Sequence, residues 1–259
     1  MLIRLLLSLT FIFSSALVHA TPQQLLENIH SMRLASTNAI TNYHMFSGLD
    51  ADSKYELLIA QSIEAFDTAL ESAQSLASNN DMTDEIDSVK KNWAEFKELM
   101  EINRSDITDK GFPELARVDD MSRTNNTIVS QLTDAYAQLQ EKSGITVNKQ
   151  VQQARLLALV MEEMTQEYAI RATTNLGHVY AGLGESKLVE MADTFQVKLD
   201  ELTKTASSPK TDALLGNIHS KWQFIEKRIR NFNENTVVFL VVSYNDRIVG
   251  HLKELEELL

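Results

Sequence analysis

The residues of this sequence best suited to chemistry lie near its start. Ser31-Met32-Arg33-Leu34-Ala35-Ser36 sets an arginine among apolar neighbours, with a hydroxyl on either side and Asn38 just beyond. A guanidinium presents several N–H donors in one plane, which suits a small planar anion, and Ser and Asn side chains can add hydrogen bonds. Gln153-Ala154-Arg155-Leu156-Leu157 is a looser echo in the second half. Arg33, Ser31, Ser36, Asn38 and Arg155 are therefore the candidate ligand-binding residues. The plainer reading is an arginine that lays its aliphatic stem over apolar surface and reaches water. The sequence leaves both open.

Catalytic constellations are scarce. No glycine-rich loop would cradle a phosphate, and neither GxSxG nor HExxH occurs. His30, His44, His178, His219 and His251 are scattered, none at i+3 or i+4 from another. Glu162, Glu163 and Glu167 place carboxylates one turn apart, but a bundle di-metal site uses a pair of Glu-x-x-His motifs, which is not present. A solvated acidic face is expected there. Met161, Met164 and His44-Met45 are soft ligands without cysteine and without clustering, a weak basis for copper. No catalytic residue, metal or cofactor is expected.

The elements that must position these residues are helices. Leu25, Ile29, Met32, Ser36, Ala39, Tyr43 and Phe46 alternate by four and three, one stripe of a helix. Thr21, Pro22 and Gln24 form its start, as N-cap, first position and capping box, and Gly48 ends it. Similar stripes predict helices from about Ser53 (with a Ser53/Glu56 capping box) to Leu76, Thr83 to Met100 and Asp119 to Gln140. The second half predicts a long helix from about Val147 to Val179 closed by Gly182 and Gly184. Glu185 to Thr205, a helix opened by Ser208-Pro209, and Asn235 to the end follow.

The halves also correspond residue by residue. The same interval, 27 residues, separates Phe66 from Trp93 and Phe195 from Trp222. Asn125-Asn126-Thr127-Ile128-Val129-x-x-Leu132 matches Asn245-Asp246-Arg247-Ile248-Val249-x-x-Leu252. These matches imply an internal duplication with a period of roughly 120 to 129 residues. The expected fold is all-α: two tandem antiparallel four-helix bundles, residues 21–143 and 144–259, with the matched aromatics in their cores.

Ser31-Met32-Arg33-Leu34-x-Ser36 on the first helix resembles the opening motif of the PilJ/NarX-type sensor domain. That is the N-terminal periplasmic module of type IV pili methyl-accepting chemotaxis transducers and of nitrate-sensing histidine kinases. The resemblance implies a four-helix bundle, here in two tandem copies, often dimeric, so that a homodimer is among the assemblies it implies. In the nitrate-sensing members the motif's arginine binds the anion, a role that would fall on Arg33. A second arginine common in the motif is Asn38 here, and a preceding small residue is His30.

Residues 1–20 fit a cleaved signal peptide, with Arg4 before the apolar stretch Leu5 to Leu17 and Val18-His19-Ala20 at the cleavage site. A mature chain from Thr21 would be periplasmic, without a membrane span. Removing Arg4 leaves 23 basic residues against 36 acidic, a charge of −13, which disfavours nucleic acid and anionic membranes as partners. With no cysteine, its core alone must hold it. The expected function is a non-catalytic, sensor-like module. It would recognise a small ligand (nitrate, nitrite or another small anion) or a partner helix, and relay that state to a membrane chemoreceptor or histidine kinase. The rival expectation is an adaptor bundle that binds only protein.

Overall fold

The computed structural model describes residues 21–173, 177–206, 208–234 and 236–259, with all side chains there except those of 177–186. The expected leader, residues 1–20, lies outside the described residues. The described residues form eight α-helices: α1 (Pro22–Gly48), α2 (Ser53–Ala77), α3 (Thr83–Lys110), α4 (Leu115–Ser143), α5 (Lys149–Thr173), α6 (Gly177–Thr205), α7 (Pro209–Arg230) and α8 (Val238–Leu258). One turn of 3-10 helix, Ser78–Asn80, follows α2. The fold is all-α, as the periodicity implies. Among the described residues no helix is long and apolar enough to cross a membrane.

Local signals set several of the helix starts. Thr21 caps α1 through the Gln24 capping box, and Ser208 caps α7 through Thr211, each with proline in the first turn. Gly144, at φ 65°, closes α4 in the left-handed region that glycine enters without strain. Three expectations need correction. The N-cap of α2 is Asp52, whose carboxylate accepts the Lys54 amide at 2.9 Å, rather than Ser53. Helix α3 runs ten residues past Met100, because Asn103, Asp106 and Ile107 continue its buried stripe. Helix α5 ends at Thr173, and α6 already contains Gly182 and Gly184. A glycine costs a helix only about 1 kcal/mol, which tertiary packing overrides.

Helix α1 packs on α2 and α4, and α3 completes the first group through α4 and α2. Helix α5 packs on α6 and α8, and α7 completes the second through α8 and α6. The groups meet where α1 lies against α5. Asn38 in mid-α1 reaches Glu162 in mid-α5, and Gly48 at the end of α1 adjoins Thr173 at the end of α5, so these two helices run parallel. Apolar packing crosses the seam: Leu34 of α1 belongs to the second core, while Val151 and Ala169 of α5 belong to the first.

Trp93 and Trp222 are both buried. Trp93 stacks on Phe66 with ring centroids 3.7 Å apart, and Trp222 lies 4.5 Å from Phe195. Each indole Nε1 donates a 2.7 Å hydrogen bond one residue beyond that phenylalanine, to Asp67 Oδ1 and Gln196 Oε1 respectively. The repeat read from the sequence thus extends to the polar partner of each tryptophan.

Candidate functional site

Helix α1 is flanked by α2, α4 and α5, so several polar side chains on it, His30, Arg33, Ser36 and Asn42 among them, are covered. Arg33 is 6 % exposed. Its guanidinium carbon lies 4.6 Å above the ring of Tyr136, on α4, and Nη2 sits 3.5 Å from His30 Nδ1. Its Nε–H is buried without an acceptor, and no carboxylate lies within ion-pair distance among the described residues. Burial, and then the charge of Arg155, lowers its pKa to about 10 against the support of Tyr136, so it remains a cation at neutral pH.

Burial and the charge of Arg33 hold His30 well below the usual histidine range, leaving a neutral ring. With Arg33 donating, His30 Nδ1 must accept, which places the ring proton on Nε2. That Nε2 is also buried and has no partner. The site therefore holds two orphaned N–H donors and one positive charge without a counter-ion, each costly in a protein interior.

Arg155 comes to the same place from α5. It is 3 % exposed; Nε donates to Glu256 Oε1 at 2.6 Å, and Nη1 to Tyr136 Oη at 3.0 Å. Burial works against its charged form, but Glu256 and Tyr136 outweigh that and hold its pKa above the ordinary value. Tyr136 and Glu256 are repeat counterparts, spaced as Asn125 and Asn245 are. Where Arg155 finds a carboxylate, Arg33 finds a phenol.

Of the five candidate residues, the structure brings Arg33 and Arg155 together and leaves the other three elsewhere. Ser31 is exposed on another face of α1. Ser36 is fully buried and returns its hydroxyl to the Arg33 carbonyl at 3.2 Å. Asn38 donates to Glu162, at 3.4 Å to Oε2. Neighbours along a helix do not share a face; residues three or four apart do. That spacing pointed to His30, which sequence reasoning passed over. Tyr136 carried no local signal at all.

The acidic run of α5 also needs correction. Glu162 is 3 % exposed rather than solvated, and burial, with Asp246 adding to it, raises its pKa to about 7. Glu163 is exposed as expected, and Glu167 is paired with Arg171 at 2.7 Å and Lys187 at 2.9 Å. Asn38, Glu162 and Ser31 line a groove of about 720 Å³ between α1, α2, α5 and α8, on another side of α1 from Arg33.

Comparison with protein-family models, with curated proteins and with solved structures gave no match.

Proposed function

We propose that this protein is a non-catalytic, sensor-like binding module that takes a small planar anion at Arg33. The anion would sit beside His30, Tyr136 and Arg155 in the seam between the two helical groups. One observation carries the reading: a buried arginine without a carboxylate lies beside a buried histidine, and each keeps one N–H without an acceptor among the described residues. A nitrate- or nitrite-sized anion supplies both missing features, negative charge and in-plane oxygen acceptors. The resemblance of the α1 motif to the PilJ/NarX-type module points to the same anions. Because α1, α4 and α5 all contribute, the ligand would favour the packing that closes these helices together. A membrane chemoreceptor or histidine kinase would read that packing. Export with cleavage after Ala20 belongs to the same proposal, and the mass of the exported protein tests it.

The main test is calorimetric titration with nitrate and nitrite at low and physiological salt. Arg33→Ala should weaken binding about ten- to a hundredfold, and Arg33→Lys should recover part, because a point charge lacks the planar fork. Nitrate should also raise the melting temperature of the parent protein and not that of Arg33→Ala. No heat from the parent protein with either anion sinks the proposal.

An adaptor role has one observation in its favour. Phe224, 43 % exposed, stacks on Tyr244 with centroids 4.7 Å apart, and Arg228 and Arg247 lie over the two rings at 4.8 and 5.5 Å. Exposed aromatic and arginine side chains are the usual anchors of protein contacts.

A further inference from the structure

We propose that the groove between α1, α2, α5 and α8 is a second ligand site, one that takes a small primary amine with its ammonium group between Glu162 and Asp246. It goes beyond the anion reading and calls for the opposite charge.

Glu162 and Asp246 line the groove, and neither has a lysine or arginine nitrogen within ion-pair distance among the described residues. Lys253 lines it one turn beyond Val249, also without an ion pair. Glu162 is almost wholly buried, where an unpaired carboxylate is costly. It rises in pKa to about 7 for that reason, so at neutral pH the site stands ready to ionise against a cation.

Hydrogen bonds around Glu162 bear on the same site independently of its charge. Glu162 Oε2 receives amide N–H groups from Asn245 at 3.2 Å and Asn38 at 3.4 Å. Asn38 Oδ1 in turn receives Asn42 at 2.7 Å, and Ser62 lies at 2.8 Å with its single O–H divided between Asn38 and the Leu58 carbonyl, also at 2.8 Å. Asn245 is 0 % exposed and Asn42 2 % exposed, yet the Oδ1 of each has no donor. Asn42 and Asn245 do not line the groove, so the acceptors open to a ligand there are the Glu162 and Asp246 carboxylates, to which an alkylammonium brings three donors. The Arg33 site lacks acceptors, so the two sites call for opposite ligands.

The internal repeat offers a comparison. A counterpart groove on the other side of the seam is lined from α1, α4, α5 and α6 and holds only about 170 Å³. Leu58 and Ser62 of the larger groove correspond in the repeat to Lys187 and Met191 of the smaller one. In the smaller groove Lys187 neutralises Glu167 at 2.9 Å. In the larger one the corresponding residue is Leu58; the charges of Lys253 and Lys54 act on Glu162 and Asp246 respectively, but neither lysine closes an ion pair with them among the described residues, which leaves room for a cation between the carboxylates.

The test is titration of the whole protein with ethylammonium, putrescine and tetramethylammonium, the last having the charge but no N–H donors. Ethylammonium and putrescine should bind, tetramethylammonium should not, and Glu162→Gln and Asp246→Asn should each weaken binding at least about tenfold. Ala65→Trp, which fills the groove from its exposed wall on α2, should abolish it without touching either carboxylate. Arg33→Ala should leave amine binding unchanged, which separates this site from the anion site. Absence of amine binding by the parent protein overturns the proposal, as does equal binding of tetramethylammonium. Binding that survives both Glu162→Gln and Ala65→Trp overturns it too.

Discussion

Glu162 shows how one buried side chain makes the whole molecule pH-sensitive. Its folded pKa is about 7, against 4.5 for an ordinary glutamate, with burial the chief cause and Asp246 the second. A raised carboxyl pKa means that the folded state keeps a proton which the unfolded state releases. The stability tied to it is therefore intact below pH 4.5 and is lost as pH rises through about 7. His44 has the opposite sign. Burial lowers its pKa from 6.5 to about 4, so its share of stability is present above pH 6.5 and is lost as pH falls through 4. Glu162→Gln, which mimics the protonated acid, should raise the melting temperature most at pH 8 and hardly at pH 4.5. Scanning calorimetry at the two pH values reads this directly, and an equal gain at both would show that Glu162 titrates normally.

At the scale of elements, α1 and α5 hold the molecule together because each serves two groups of helices. Their C-terminal ends meet without room to spare. A Cβ added at Gly48 would lie 2.3 Å from the Thr173 Cβ, far inside van der Waals contact. Gly48→Ala should therefore force the two ends apart and destabilise the protein by about 1 to 3 kcal/mol, as overpacking does. Thr173→Gly removes the obstructing Cβ, so Gly48→Ala should cost much less in that background. Denaturant unfolding of the four proteins in this double-mutant cycle measures the coupling. Additive effects would mean that the helix ends do not meet in solution.

The whole molecule is more than two bundles in a row. Leu34 packs with the second core, Val151 and Ala169 pack with the first, and Arg155 joins Glu256 of α8 to Tyr136 of α4. A fragment of residues 21–143 would expose the face of α1 that α5 covers, including Arg33 and Leu34, and residues 144–259 would expose the matching face of α5. Each fragment alone should melt well below the full chain. Mixing them should restore a one-to-one complex by gel filtration and recover much of the lost stability. Fragments that melt with the full chain and ignore each other would make the seam incidental.

Much of this architecture was legible in the sequence because it follows local rules. Stripes at three- and four-residue spacing set the helices, Thr21 and Ser208 with their prolines set two of the starts, and the equal Phe-to-Trp intervals exposed the duplication. Arg33 stood out because it lies beside an apolar stripe, and Arg155 as its looser echo, though the sequence leaves open whether either reaches water. Only tertiary structure decided what surrounds them. Tyr136 and Glu256 lie on other helices than either arginine, and their approach depends on which faces of α4 and α8 turn toward the seam. The burial of Glu162 was illegible for the same reason. A carboxylate in an acidic run looks solvated until a second layer of helices covers it, and α1 and α8 supply that layer through Asn38 and Asn245. Periodicity encodes which side of a helix is apolar; it does not encode that α1 and α5 are covered on further sides, and there the charged groups of this protein acquire their chemistry.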